Sequence, residues 1–337
     1  MRSHFSLNRG VATACVVAGA TRLLSGNCAA QPYIAADYAS NSTYAGGWSA
    51  GQNGGYGFGP WSFDGTAGTN GLPNPGTQQA ISSGSAIGTA WTLYNGPSQP
   101  PRGPGISDTG RAITEPGGLQ PGQTLEIVLQ NPTGYHFYRG WDILCLNGTN
   151  NYPAGEPSNG TSAIRTQVFA YYGTDWSVID DYGSTLTSLD ASTTAAAGMK
   201  YDLTLTSTNT YLLTLTPLSN PSAAYMQSGP LTTNLPINYI NVRLYWGPNS
   251  GPNDVANNLE ISSMTIAGLM LNIQLAGTNA VLTWTTNVPG FTLASSPSLG
   301  AGAVWSTNGL PSAIVIYQQN VVTNPVAGTQ KFYRLQQ

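Results

Sequence analysis

The sequence predicts an all-β protein, with an N-terminal antiparallel jelly-roll sandwich followed by a small immunoglobulin-like β-sandwich. Apolar residues after position 30 recur at period two, and no window there sustains the i, i+3, i+4, i+7 spacing of an amphipathic helix. Glycine and proline are abundant, at 41 and 23 of 337 residues, which suits short strands joined by turns. Charged residues make up only 7%, against roughly 25% in an average soluble domain, so Ser, Thr, Asn, Gln and the backbone must wet the surface.

Residues 1–30 are expected to be a signal peptide. Arg2 and Arg9 precede the small, apolar residues 11–20, and Asn27-Cys28-Ala29-Ala30 supplies small residues for cleavage after Ala30. The apolar run falls well short of the ~20 residues of a spanning helix, so no membrane span is expected. Cleavage would remove Arg2, Arg9 and Arg22 but no acid, taking the net charge from −3 to −6. A chain this acidic, without a Lys/Arg cluster, excludes a nucleic-acid partner held by phosphate contacts, and argues against adhesion to anionic lipid. The mature chain would keep one cysteine, Cys145, in the apolar stretch Trp141-Asp142-Ile143-Leu144-Cys145-Leu146. An internal disulfide is then ruled out, and a buried inert thiol is expected.

Strand signals follow in order. Residues 45–75 are so glycine-rich that they read as long loops pinned by Trp48, Phe58 and Trp61. Leu125, Ile127 and Leu129 alternate with Glu126 and Val128. Tyr201, Leu203 and Leu205 are joined through Ser207-Thr208-Asn209-Thr210 to Tyr211, Leu213 and Leu215, a hairpin with one wet face. Ile240, Val242, Leu244 and Trp246 make another stripe. In residues 259–266 the alternation slips at Ser262-Ser263, the mark of a β-bulge. Such strands without crossover helices imply antiparallel sheets packed face to face, over a jelly-roll domain of residues 31–268.

A second alternation starts after Gly268. Leu271, Ile273 and Leu275 lead to a Gly277-Thr278-Asn279 turn, then to Leu282 and Trp284, and the chain ends on Phe332-Tyr333-Arg334-Leu335. A Trp on an early strand and an aromatic on a late one suggest an immunoglobulin- or fibronectin-III-like module over residues 269–337.

Several of these motifs carry a resemblance. Ala36-Asp37-Tyr38, Asn53-Gly54-Gly55-Tyr56-Gly57-Phe58-Gly59-Pro60-Trp61, Leu119-Gln120-Pro121-Gly122-Gln123-Thr124-Leu125, the 201–217 hairpin and Asn253-Asp254-Val255-Ala256-Asn257-Asn258-Leu259 resemble a family of secreted bacterial jelly-roll, concanavalin- or carbohydrate-binding-like proteins. Val281-Leu282-Thr283-Trp284, Gly290-Phe291-Thr292-Leu293 and the final Phe332-Tyr333-Arg334-Leu335 are similar to a short β module at the C-termini of exported bacterial proteins. The resemblance implies a fold and a secreted or cell-surface location. It brings no activity and no catalytic residues.

Aromatic rings offer flat platforms to a pyranose, and Trp176, Tyr171, Tyr172, Trp91 and Tyr94 are the candidates. Trp176 stands out because Gly173-Thr174-Asp175 reads as a turn that would lift its ring into solvent, although each of these aromatics also suits a core. Asp37, Asn253, Asp254, Asn257 and Asn258 would give calcium several hard oxygen ligands, while ordinary Asx turns explain the same residues. Catalysis has thinner signals. No two acids are separated by a single residue, as a carboxylate pair on one strand face would require. His136, in Tyr135-His136-Phe137-Tyr138-Arg139, is the one histidine after residue 30 and the one imidazole base for a lyase. The expectation is a non-catalytic secreted or surface protein binding a polysaccharide or surface glycan. A structural envelope or matrix protein and a polysaccharide-active lyase or glycosidase are the alternatives.

Overall fold

The computed structural model describes residues 15–18, 33–65, 77–95, 105–132, 139–148, 164–170, 175–180, 183–190, 196–231, 234–246, 257–269, 271–285, 291–300, 302–316, 319–326 and 330–336. The chain divides into a larger unit, Tyr33–Ala267, and a smaller one formed by Gly268–Gln337 with the N-terminal segment. β1 (Cys15–Ala18) belongs to the smaller unit.

The larger unit opens with β2 (Tyr33–Tyr38), β3 (Ser62–Gly65), β4 (Thr77–Ser85), β5 (Gly88–Asn95), β6 (Gly105–Ala112), β7 (Thr124–Gln130) and β8 (Arg139–Leu146). It continues through β9 (Ile164–Ala170), β10 (Asp175–Asp180), β11 (Gly183–Asp190), β12 (Met199–Ser207), β13 (Thr210–Pro217), β14 (Tyr225–Pro230), β15 (Tyr239–Trp246) and β16 (Asn257–Ala267). These form two sheets in which every recorded strand pairing is antiparallel. One is seven-stranded, in the order β11-β10-β9-β8-β15-β6-β3; the other is eight-stranded, in the order β14-β13-β12-β7-β16-β5-β4 with β2 also on β16.

Period two decides what each strand buries. In β7, Leu125, Ile127 and Leu129 are fully buried, and the register pairs them with Leu203, Tyr201 and Met199 of β12. Ile240, Val242 and Leu244 of β15 and Trp141, Ile143 and Cys145 of β8 face the same core from the other sheet. The sheets touch directly where Cys145 Sγ lies 3.5 Å from the Tyr201 hydroxyl. Burial pushes the Cys145 thiol up from its ordinary pKa, as expected of an inert cysteine. The 201–215 hairpin is present as β12–β13. The slip in β16 is a bulge between Ile261 and Ser263. On one flank β16 pairs with β5 before the bulge and with β2 after it, so a single strand carries two neighbours in succession.

Residues 45–65 are tied down as the aromatics predict, with Trp48, Phe58 and Trp61 at 2–3% exposure, but they also contain the short strand β3. Trp48, Trp61 and Trp91 pack against one another with ring centroids 5.1–6.3 Å apart.

In the smaller unit, β17 (Asn272–Ala276), β18 (Asn279–Thr285), β20 (Ile314–Ile316) and β21 (Gln319–Pro325) form a sheet in the order β17-β18-β21-β20. β19 (Thr292–Ser296) and β22 (Gln330–Gln336) form a second one with β1. The two share a core of Leu271, Leu282, Trp284, Leu293, Val322, Tyr333 and Leu335. Trp284 and Tyr333 are the early and late aromatics anticipated there. Leu275 departs from its stripe and is 53% exposed on the outer strand β17. Cys15–Ala18 pairs with Lys331, Phe332 and their neighbours on β22, so the apolar segment read as the heart of a leader is here an edge strand.

Candidate functional site

The seven-stranded sheet has two faces, and only one meets the main core. Because Trp141, Ile143 and Cys145 point inward, Asp142, Leu144 and Leu146 point to the other side. The same alternation places Asn241, Arg243 and Tyr239 of β15, Gln167 of β9 and Ser177 of β10 on that second face. The register aligns them in rows: Phe169 stands opposite Asp142, Asp142 opposite Arg243, Arg243 opposite Asp108, and Asp108 opposite Asp64. One row of the register therefore holds an ionisable residue on each of four strands, in a chain with only 7% charged residues.

Four polar residues of this face are withdrawn from solvent. Asp142 and Asn241 are at 0% exposure, Arg243 at 2% and Gln167 at 3%. Gln167 Nε2 donates to Asp142 Oδ2 at 2.8 Å, and Arg243 Nε donates to Asn241 Oδ1 at 3.2 Å. The Tyr239 hydroxyl lies 2.6 Å from Ser62 Oγ, which closes the adjoining edge. A buried amide or charge is costly unless hydrogen-bonded, so a face meant for packing alone would be apolar. Beside the buried apolar cluster of Leu144, Leu146 and Tyr239, this face instead encloses a carboxylate, a guanidinium and two carboxamides, donor and acceptor types that also read sugar hydroxyls.

The residues singled out from the sequence do not assemble into one site. Trp176 is not at a loop tip: it lies on β10 at 0% exposure, edge-on to Trp141 with ring centroids 4.3 Å apart. Trp91 is also at 0% exposure, on β5 in the tryptophan cluster. Tyr94 belongs to β5 as well. Tyr171 and Tyr172 lie outside the described residues, as does His136.

Asp37 is built into a different structure. It is fully buried and forms an ion pair with Arg111 Nη1 at 2.7 Å, bridging β2 and β6 of the two sheets. The Tyr44 hydroxyl donates to Asp37 Oδ2 at 2.5 Å and the Tyr38 amide to Oδ1 at 2.9 Å. Arg111 is further held by Gly59 O and Asn53 Oδ1, and its guanidinium lies 4.8 and 4.5 Å from the ring centroids of Phe58 and Trp61. Burial lowers the Arg111 pKa while Asp37 pulls it back up. With both oxygens engaged and the charge balanced, Asp37 does not fit a calcium ligand. Asn253 and Asp254 lie outside the described residues, while Asn257 and Asn258 begin β16. Among the described residues no group of three or more His, Cys, Asp or Glu is placed to hold a metal.

Sequence reasoning missed Asp142, Gln167, Asn241 and Arg243. The local signal was present, since Asp142 interrupts Trp141-Asp142-Ile143 and Asn241 and Arg243 alternate with Ile240, Val242 and Leu244. What brings them together is the order of strands.

No protein-family model matches this chain, and no curated protein does. Solved structures with similar folds include an endo-acting O-glycanase of the human gut microbiota (TM-score 0.42, 10% identity, covering 70% of this chain and 99% of that one). They also include the Ca2+-bound exoplasmic/lumenal domain of VIP36 (0.38, 12%, 61% and 88%) and lectin II from Ulex europaeus (0.35, 9%, 66% and 95%). Likeness this distant carries no residue role across.

Proposed function

We propose that this chain is a non-catalytic glycan-binding protein that acts outside the cytoplasm, with the seven-stranded sheet contributing the binding face. The observation behind the reading is the buried polar set Asp142, Gln167, Asn241 and Arg243 on the face turned away from the main core. The low charge of the chain and its Ser, Thr, Asn and Gln content suit a ligand read by neutral hydrogen bonds. Export rests on the order of residues 1–30, and predicts extracellular protein beginning at or near Gln31 by mass spectrometry; an intact Met1 on that material would reject it.

Thermal unfolding with and without polysaccharide tests the binding face. A ligand that binds only the folded state raises Tm by mass action, so the wild type should shift upward with at least one polymer. Asp142→Asn should lose that shift, while its Tm without ligand is read separately. A full ligand shift in Asp142→Asn would remove the face from the function.

A catalytic reading has one observation in its favour. Asp64, Asp108 and Asp142 share one row of the register, and adjacent strands stand ~4.8 Å apart, so the backbone of Asp108 lies ~5 Å from that of Asp64 and ~10 Å from that of Asp142, near the spacings a glycosidase uses. Release of reducing ends, abolished by Asp108→Asn, would establish it.

A further inference from the structure

The outer face of the eight-stranded sheet carries a second constellation that the site above does not use. Ala35 and Asp37 of β2 point inward and are buried, so Ala36 and Tyr38 point out. An isolated bridge joins Ala36 to Tyr56, with the amide of each donating to the carbonyl of the other at 3.0 Å, which lays the Tyr56 segment alongside β2. Tyr38 and Tyr56 thus stand diagonally about Ala36, a relation that spaces residues by roughly 7–8 Å and keeps aromatic side chains within reach of each other. They are 42% and 43% exposed. Continuing the row, Ala36 stands opposite Thr265, Thr265 opposite Glu126, and Glu126 opposite Asp202.

The glycine run explains how Tyr56 reaches this place. A Cβ on Gly55 would collide with the Ala36 carbonyl, and one on Gly57 would collide with Ala35, so only glycine lets the segment lie this close. Gly57 also takes φ +74°, breaking the alternation so that Phe58 turns into the core while Tyr56 stays out. The Tyr56 hydroxyl donates to Tyr33 O at 3.2 Å, which fixes the ring. Burial raises the Tyr38 pKa, and Tyr33, Tyr56 and Glu126 raise it further, in keeping with one shared patch. Lys200 closes the far end, 3.3 Å from Glu126 and 2.9 Å from Asp202.

We infer that Tyr38 and Tyr56 form a stacking platform for a neutral pyranose glycan, with Glu126 accepting hydrogen bonds from its hydroxyls. Two half-exposed phenol rings, that of Tyr56 held by its bond to Tyr33 O, stand beside the buried Ala36 and Thr265 and offer the flat apolar contact that a sugar face needs. Two acids against one lysine leave the patch negative, which repels uronic-acid or sulfated polymers and selects a neutral one. The platform rests on the glycan-binding reading but uses a different sheet.

Affinity electrophoresis of the full chain through gels containing a glucan, a mannan, a xylan or alginate tests it. The wild type should be retarded by at least one neutral polymer and less by alginate. Tyr38→Ala/Tyr56→Ala should weaken that retardation about tenfold, while Tyr38→Phe/Tyr56→Phe, which keeps the rings, should stay near wild type. Tyr56→Leu, which keeps apolar bulk without a flat ring, replaces the alanine variant if that one fails to fold, and should show the same weakening. Wild-type retardation of a folded ring-less variant, or stronger retardation by alginate, overturns the platform and leaves the glycan reading standing. No retardation of the wild type by any polymer overturns both.

Discussion

Asp37 shows how one residue's surroundings decide its role. An acid near the start of a sandwich, with amides at the far end of the domain, invites a metal, yet the same carboxylate neutralises a buried arginine here. Removing one member of a buried pair leaves the other charge uncompensated, so Asp37→Ala should cost about 3–5 kcal/mol. Urea unfolding should give the same loss in calcium and in excess chelator; a loss confined to calcium would restore Asp37 to a metal site. Tyr44 extends the network towards high pH. Burial, then its hydrogen bond to Asp37, raises its pKa from 10.0 to about 12. A folded-state pKa above the unfolded one means that the contribution is complete below pH 10 and is lost as pH rises towards 12. Tm should accordingly fall across that window, and Tyr44→Phe should make the fall shallower, since Tyr201 and Tyr211 share the upward direction. An equally steep fall in Tyr44→Phe would contradict this. Trp176 carries a comparable lesson: Gly173-Thr174-Asp175 reads as a turn, but Asp175 already begins a strand and the indole is in the core. Trp176→Ala should therefore cost about 3–5 kcal/mol, and a stable variant would place the ring outside the core.

Elements were legible in proportion to how strictly they alternate. β7, the β12–β13 hairpin and β15 each bury one face against a common core, so their period-two pattern carries both the strand and its orientation. The β16 bulge was legible because an extra residue shifts the alternation by one. The charged row across β8, β15, β6 and β3 was not legible, since β15 pairs with β8 about 100 residues away and with β6 about 135 residues away, and nothing local encodes their order. β1 was ambiguous for another reason: a short apolar run is compatible with a leader and with a strand alike. The glycine-rich segment was legible as tightly pinned chain, but not as the device that sets Tyr56 beside β2. Its physical content can be tested at Gly57. A side chain there meets both a positive φ and the Ala35 side chain, so Gly57→Ala should destabilise the protein by more than ~1 kcal/mol and weaken the Tyr56 platform with it. An alanine variant as stable as the wild type would show that the close approach is not required.

At the scale of the molecule, two β units with separate cores are joined in one chain, the larger holding both candidate faces. No helix among the described residues is long and apolar enough to cross a membrane. The sequence carried the fold class because composition and alternation are averages over many residues. It carried the candidate face poorly because that face depends on a few side chains brought together by topology. On the function proposed above, these faces bind a glycan without cleaving it. The most direct measurement of this is depletion of the full chain from solution by a panel of polysaccharides, with the same mixtures assayed for reducing ends and unsaturated products. Retention by at least one neutral polymer, with no released product, is expected. Retention by none, or product formation abolished by Asp108→Asn, would contradict that function.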